Sequence, residues 1–222
     1  MSREYTRQIS VIGNVASHGP VILFDDFESL LKWGIYSGEG DSIFELDPTL
    51  AYYGNQSLYM KSRTTDAAED DIIGANRRLY MSPALKLNQA VHFLSPDFTK
   101  INKIVFYFTL ADGAVIHYPT VVFDPNTPLL QYHDFENNPQ TVPGTNYKPA
   151  INTWHRLQLL ANLVSNRFIG ITLDSHFYDL SPYSLYTYAN PASTRLDIYL
   201  MIYTAGAAPA ELYIDDFLIH EL

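Results

Sequence analysis

Cysteine is absent from this 222-residue chain. Its absence excludes disulfides, thiolate metal sites and a cysteine nucleophile, and leaves the compartment open, because exported and cytosolic proteins can both lack it. Positive charge is scarce: 14 Lys and Arg stand against 24 Asp and Glu, a formal net charge of −10. A nucleic-acid partner held through phosphates needs a basic face that releases counterions, so none is expected. No run approaches the ~18 consecutive apolar residues of a membrane span, so no membrane partner is expected. The opening Met1-Ser2-Arg3-Glu4-Tyr5-Thr6-Arg7-Gln8 lacks the apolar stretch of about 7–15 residues of a secretory signal. The expectation is a soluble protein made in the cytoplasm without a signal peptide. A Gly-x-Ser-x-Gly elbow, a phosphate loop and a His-Glu-x-x-His helix are missing too.

What the chain does have is β-type sequence. It carries 17 Tyr and 12 Phe, with 47% hydrophobic and 17% charged residues, a composition that favours strands around a core over disorder. All-β domains commonly run to about 200–250 residues as one unit. The strongest strand signal is Lys103-Ile104-Val105-Phe106-Tyr107-Phe108-Thr109-Leu110. In Trp154 to Leu160, Leu157 and Leu159 alternate against Gln158, and Phe168 to Asp174 returns through a turn near Ser165-Asn166. The last run, Glu211 to His220, holds the adjacent acids Asp215-Asp216, and Phe24-Asp25-Asp26-Phe27-Glu28 echoes it near the start. Two such segments at opposite ends imply that the first and last strands lie side by side. The fold class expected is all-β, a two-sheet antiparallel β-sandwich of jelly-roll type, with helix confined to a turn or two and Trp33 and Trp154 in or near the core. Residues 1–20 are expected to form an N-terminal arm and 21–222 the sandwich domain. Ser37 to Asp41 reads as a hairpin loop, Thr64 to Asp71 as an acidic solvated loop, Asn137 to Pro149 as a surface loop, and Ser181 to Pro191 as a Tyr-rich loop.

Asp26-Phe27-Glu28, then Trp33, then Gly54-Asn55-Gln56-Ser57-Leu58, resembles the opening of jelly-roll carbohydrate-binding modules. Trp154 through Leu159, Ile169 to Asp174 and Tyr213-Ile214-Asp215-Asp216-Phe217 resemble the second half of concanavalin A-like lectin/glucanase jelly rolls. The resemblance implies a structural calcium ion between the first and last strands, held by Glu28, by Asp215 or Asp216, and by a carbonyl near Gly54 or Asn55; hard oxygen ligands suit that cation. The competing reading is that one Asp faces solvent while the other caps a backbone amide.

A retaining glycosidase needs two carboxylates about 5–5.5 Å apart. Glu45 with Asp47, and Asp134 with Glu136, have the alternation but are cut short by Pro48 or by Asn137-Asn138-Pro139, so the chain is expected not to be an enzyme. Tyr183, Tyr186 and Tyr188 beside Asn190 are flat aromatics in a turn-rich loop, which suits a glycan. The main functional expectation is a non-catalytic structural protein resembling phage capsid decoration or tail-associated jelly rolls. In it Ile9, Val11 and Ile12 of the arm would lie along a sheet edge, either that of a neighbouring copy or other virion protein, giving a homo-oligomer or lattice, or that of their own domain as an added strand. The alternative is a carbohydrate-binding, lectin-like module, with glycoside hydrolysis third.

Overall fold

The structure is a computed structural model that describes residues 20–36, 40–63, 68–81, 86–190, 193–206 and 208–222. The early strands are β1 (Val21–Asp25), β2 (Gly34–Tyr36), β3 (Ile43–Asp47), β4 (Ser57–Lys61), β5 (Ile72–Leu79) and β6 (Lys86–Leu94). The middle of the chain supplies β7 (Ile101–Ala111), β8 (Val115–Tyr118), β9 (Thr120–Asp124), β10 (Leu129–His133) and β11 (Pro139–Thr141). The last part supplies β12 (His155–Asn162), β13 (Arg167–Leu173), β14 (His176–Asp179), β15 (Tyr186–Ala189), β16 (Arg195–Thr204) and β17 (Glu211–Glu221). A 3-10 turn, Phe98–Lys100, is capped by the Asp97 side chain, which accepts from the Thr99 amide.

These strands form two antiparallel sheets. In the first the order is β14-β13-β12-β6-β17-β4-β3, with β1 also paired to β17; in the second it is β11-β10-β9-β7-β16-β5-β2, with β8 added to β7 and β15 to β8. The termini meet as expected, Phe24 opposite Leu218 and Asp25 opposite Phe217. Strand periodicity builds the core between the sheets. β12 turns His155, Leu157, Leu159 and Ala161 inward and leaves Arg156 and Gln158 half-buried outside. Phe106 and Phe108 of β7 and Ile198, Leu200 and Ile202 of β16 share one core cluster with Phe93, Leu157, Ile214 and Phe217 of the other sheet. Each fully buried side chain of this size contributes about 1.5–3 kcal/mol.

Several local expectations change. The segment after β2 does not close a hairpin, because β2 and β3 lie in different sheets. β8 and β9 follow one another along the same edge of β7, against Leu110–Ala111 and Ile104–Tyr107, and Pro119 between them, with no amide to donate, interrupts the ladder. The Tyr-rich loop contains β15, whose alternating Tyr186-Thr187-Tyr188 favours strand and pairs with Tyr118 to Ile116 of β8. The Asn137 to Pro149 loop contains the short edge strand β11. Trp33 is buried, donates its indole N–H to Asp25 Oδ2 at 3.1 Å and meets Phe217 edge-on at 4.9 Å. Trp154 instead packs on the outer face of the first sheet, against Tyr59, Leu94 and Tyr213, because it precedes the inward-facing His155 by one residue. Ile9, Val11 and Ile12 lie outside the described residues, as do residues 64–67 of the acidic run; at its end Asp71 is paired with Arg63 at 2.7 Å.

Candidate functional site

The first and last strands meet at an acidic junction. Along one edge of β17, β4 pairs with Glu211 to Ile214 and β1 with Phe217 to His220. Asp215 and Asp216 sit where the partner changes, at a break in the β17–β6 register, and Asp216 takes a positive φ of 47°. Asp215 is fully buried; its Oδ2 accepts from the amides of Tyr52 and Tyr53 at 2.8 and 3.1 Å, and its Oδ1 from that of Asp216 at 2.8 Å. Glu28 completes the staple. Its Oε1 accepts from the Asn55 and Gln56 amides at 2.7 and 3.1 Å, and its Oε2 from Asn55 Nδ2 at 2.8 Å. The loop ahead of β4 is thereby held over the gap between β1 and β4.

This geometry bears on calcium. The residues named for it, Glu28, Gly54, Asn55, Asp215 and Asp216, do gather around one loop. The oxygens of Glu28 and Asp215 face N–H donors, however, and those donors occupy the places a cation would take. Among the described residues no group of three or more His, Asp or Glu side chains is arranged to hold a metal ion. The donor set fits a hydrogen-bonded staple rather than a cation site.

Beside the junction, on the same outer face, His92 of β6 stands opposite both Asp215 and Arg156 in register. Tyr52 stacks on the imidazole at 3.8 Å, and Trp154 meets Tyr52 edge-on at 5.9 Å. Burial, with Arg156 nearby, pushes His92 down to about 4. Burial outweighs the amide hydrogen bonds at Asp215 and pushes it up to about 7. Both groups therefore favour their neutral forms.

The second sheet presents a different surface on its outer face. Tyr199 of β16 lies opposite Tyr107 of β7, and their rings stack at 4.5 Å. Tyr107 stacks in turn on Tyr118 of β8 at 5.0 Å. Tyr36 of β2 closes one end edge-on to Tyr199 at 5.2 Å, and Tyr186 of β15 continues the other end, 6.2 Å from Tyr118 and 5.8 Å from Tyr188. Burial raises the Tyr107, Tyr118 and Tyr199 hydroxyls, so all three stay protonated donors. The row is solvent-exposed at its ends, with Tyr36 at 38% and Tyr188 at 39%. Val105, Val122 and Met201 form its apolar floor. Gly74 makes the close approach possible: a Cβ there would meet the Leu200 carbonyl oxygen and Met201 Cγ, each at 2.7 Å.

Of the four glycan residues expected from sequence, Tyr186 and Tyr188 join this row. Tyr183 does not; it packs against Tyr132 at 4.8 Å and the core. Asn190 follows β15 and donates its amide to the Ala114 carbonyl at 3.0 Å. Sequence reading missed Tyr36, Tyr107, Tyr118 and Tyr199. A signal was present in β7 and β16, which are apolar on both faces, whereas a sheet with one solvated face alternates apolar and polar.

The carboxylate pairs serve turns. Asp47 accepts from the Thr49 amide at 2.6 Å, and Asp134 accepts from the Glu136 and Asn138 amides at 3.0 and 2.9 Å. Next to Tyr199, a cavity of about 460 Å³ is lined by Lys32, Gly34, Asn76, Arg77, Arg78, Leu79 and Asp197.

No protein-family model and no curated protein sequence matches the chain. Solved structures do share its fold. An endo-β-1,4-glucuronan lyase from the fungus Trichoderma reesei is similar at a TM-score of 0.59 and 12% identity, over 91% of this chain and 96% of that one. A protein of unknown function with a galectin-like fold from Bacillus subtilis is similar at 0.57 and 9%, over 92% and 97%. A sialidase is similar at 0.58 and 11%, over 92% of this chain; this chain spans only 19% of its length. The architecture these structures share with the chain is a two-sheet antiparallel jelly-roll sandwich. The expectation of a chain without catalytic function is corrected by the same finding. That expectation rested on the lack of a paired-carboxylate motif, and a lyase carries this sandwich over nearly its whole length, so the missing motif does not exclude catalysis.

Proposed function

We propose that the protein is a lectin-like carbohydrate-binding module whose glycan lies along the tyrosine row of the second sheet. The single observation that carries this reading is the unbroken sequence of ring contacts from Tyr36 through Tyr199, Tyr107 and Tyr118 to Tyr186 and Tyr188, crossing the strands. Sugar rings have apolar faces that lie on aromatic surfaces, and equatorial hydroxyls that need donors and acceptors at the rim. Tyr supplies both a flat face and a polar tip; Tyr36 and Tyr188, the exposed ends of the row, offer that surface, while buried Tyr107, stacked between Tyr199 and Tyr118, holds the row in line. Similarity in fold to a galectin-like protein and to a polysaccharide lyase supports the reading without naming a sugar. The virion reading has less behind it: its assembly residues Ile9, Val11 and Ile12 lie outside the described residues.

The test is a glycan array followed by affinity electrophoresis on immobilised polysaccharides. The expected result is retention of the full chain by at least one glycan, with loss of about tenfold or more in affinity for Tyr36→Ala or Tyr188→Ala, because base-like and sugar stacking on one aromatic face is worth on the order of 1–3 kcal/mol. No retention on any glycan sinks the proposal.

A further inference from the structure

The cavity beside Tyr199 has a charge that runs against the rest of the chain. Lys32, Arg77 and Arg78 line it, and Arg195 stands behind them, bound to Asp197 at 2.9 Å. Two carboxylates answer these four cations. Asp25 binds Arg77, and buried Asp197 binds Arg78 as well as Arg195. Lys32 is exposed and has no ion-pair partner among the described residues. Arg78 keeps about half of its side chain exposed while its guanidinium holds Asp197 through Nε and also meets the Tyr80 side chain, so part of the group stays open to solvent. A local positive excess thus persists in a chain of net charge −10.

Its position is set by register. Tyr199, Asn76 and Gly34 lie opposite one another across β16, β5 and β2. Gly34 at the sheet edge has no side chain to fill the space over Asn76; a Cβ there would come within 2.6 Å of Asn76 Oδ1. The cavity therefore opens at the end of the tyrosine row, one ring from exposed Tyr36.

We infer that this cavity receives the anionic group of an acidic glycan, with Lys32 and Arg78 contacting a sugar carboxylate or sulfate while the adjoining sugar rings lie on Tyr199 and Tyr36. This rests on the reading of the tyrosine row as a glycan platform. A guanidinium edge matches the planar fork of a carboxylate, and an ammonium on a flexible stem suits either anion as a point charge. Asn76 adds an amide at the floor. Asp197, taken up by two arginines, fixes Arg78 in place instead of competing with the ligand.

The experiment uses the full chain in isothermal titration with three probes: a polyuronate, a sulfated polysaccharide, and a neutral polysaccharide retained in the array. The expected result is tighter binding of at least one anionic probe than of the neutral one, weakened by about 0.5 M salt through screening. Lys32→Glu should lower anionic binding by about tenfold and leave neutral binding unchanged. A preference between polyuronate and sulfated probe tells carboxylate from sulfate. Equal binding of neutral and anionic probes, or anionic binding indifferent to Lys32→Glu, overturns the charge assignment and leaves the platform standing. Binding of no probe overturns both.

Discussion

Asp215 of β17 lies directly opposite His92 of β6 on the outer face of the first sheet, beneath a Tyr52 ring that stacks on the imidazole at 3.8 Å. The pair places an acid and a base, both displaced toward neutrality by burial, within one covered patch. Their effects on stability run in opposite directions with pH. Asp215, raised to about 7, stays protonated in the folded chain after the unfolded chain has ionised, so its contribution is full below about pH 4 and is lost as pH rises to about 7. His92, lowered to about 4, stays neutral in the folded chain, so its contribution is present above about pH 6.5 and is lost as pH falls to about 4.

Between about pH 4 and 6.5 the two slopes cancel in the wild type, and each substitution uncovers the other. Asp215→Asn, which keeps an acceptor for the Tyr52 and Tyr53 amides, should become more stable as pH rises through this window. His92→Phe should become less stable, on the order of 1 kcal/mol per pH unit. Urea midpoints at half-unit intervals check this; parallel profiles for both variants and the wild type would refute the coupling.

The Glu28 staple gives a separate expectation. Glu28→Ala removes the acceptor of the Asn55 and Gln56 amides, each worth about 1.5–3 kcal/mol when the acceptor is charged and less where solvent competes. Hydrogen exchange at those amides should speed up more than in the core strands. Because the staple is made of amide donors, a chelator should leave the wild-type melting midpoint where it is. A midpoint that drops with chelator and recovers with added calcium would show that a cation belongs to the junction.

How far the sequence announced this depends on the residue. The meeting of the termini was legible, since Phe24 to Glu28 and Tyr213 to Phe217 carry the same acid-flanked apolar pattern, and a sandwich pairs its ends. The staple was legible only in its acids: nothing in Tyr52 or Tyr53 says that their backbone amides will point at a residue more than 160 positions away. Tyr186 and Tyr188 could be picked out because their alternation stands in a polar segment. Tyr107 and Tyr199 were hidden among Phe and Ile in strands apolar on both faces, where period-2 reading loses its contrast. The basic cavity was harder still, because Lys32, Arg78 and Asp197 converge only through cross-strand register.

Loop 143–153 depends on a second buried network. His155 Nδ1 lies 2.9 Å from Asp174 Oδ2 and its Nε2 3.0 Å from the Ala150 carbonyl, while the Tyr147 hydroxyl donates to Asp174. Burial alone would raise the Asp174 carboxyl, but hydrogen bonds from Tyr147, His155 and the Arg156 amide bring it below its ordinary value. A depressed acid stabilises above its unfolded pKa and loses that contribution as pH falls. Asp174→Asn, which tolerates the positive φ of 52°, should therefore flatten the acid limb of the stability profile below about pH 4. An unchanged acid limb would count against the network.

Gly74 links packing to the proposed platform. Its missing side chain lets Met201 and the Leu200 carbonyl close against β5, which keeps the floor flat between Tyr199 and Tyr36. Alanine there has to displace backbone as well as side chain, and overpacking of this kind costs about 1–3 kcal/mol. Gly206 is the matched control, with nothing within 4 Å of an added Cβ; Gly206→Ala should be neutral or stabilise by about 0.4–1 kcal/mol through the unfolded chain. The expected pattern is a lower melting midpoint for Gly74→Ala and, at temperatures where it remains folded, weaker retention on any glycan that binds the wild type. Weaker retention with an unchanged midpoint would place the effect in direct ligand contact, and an unchanged value of both would show that β5 and β16 separate there without cost.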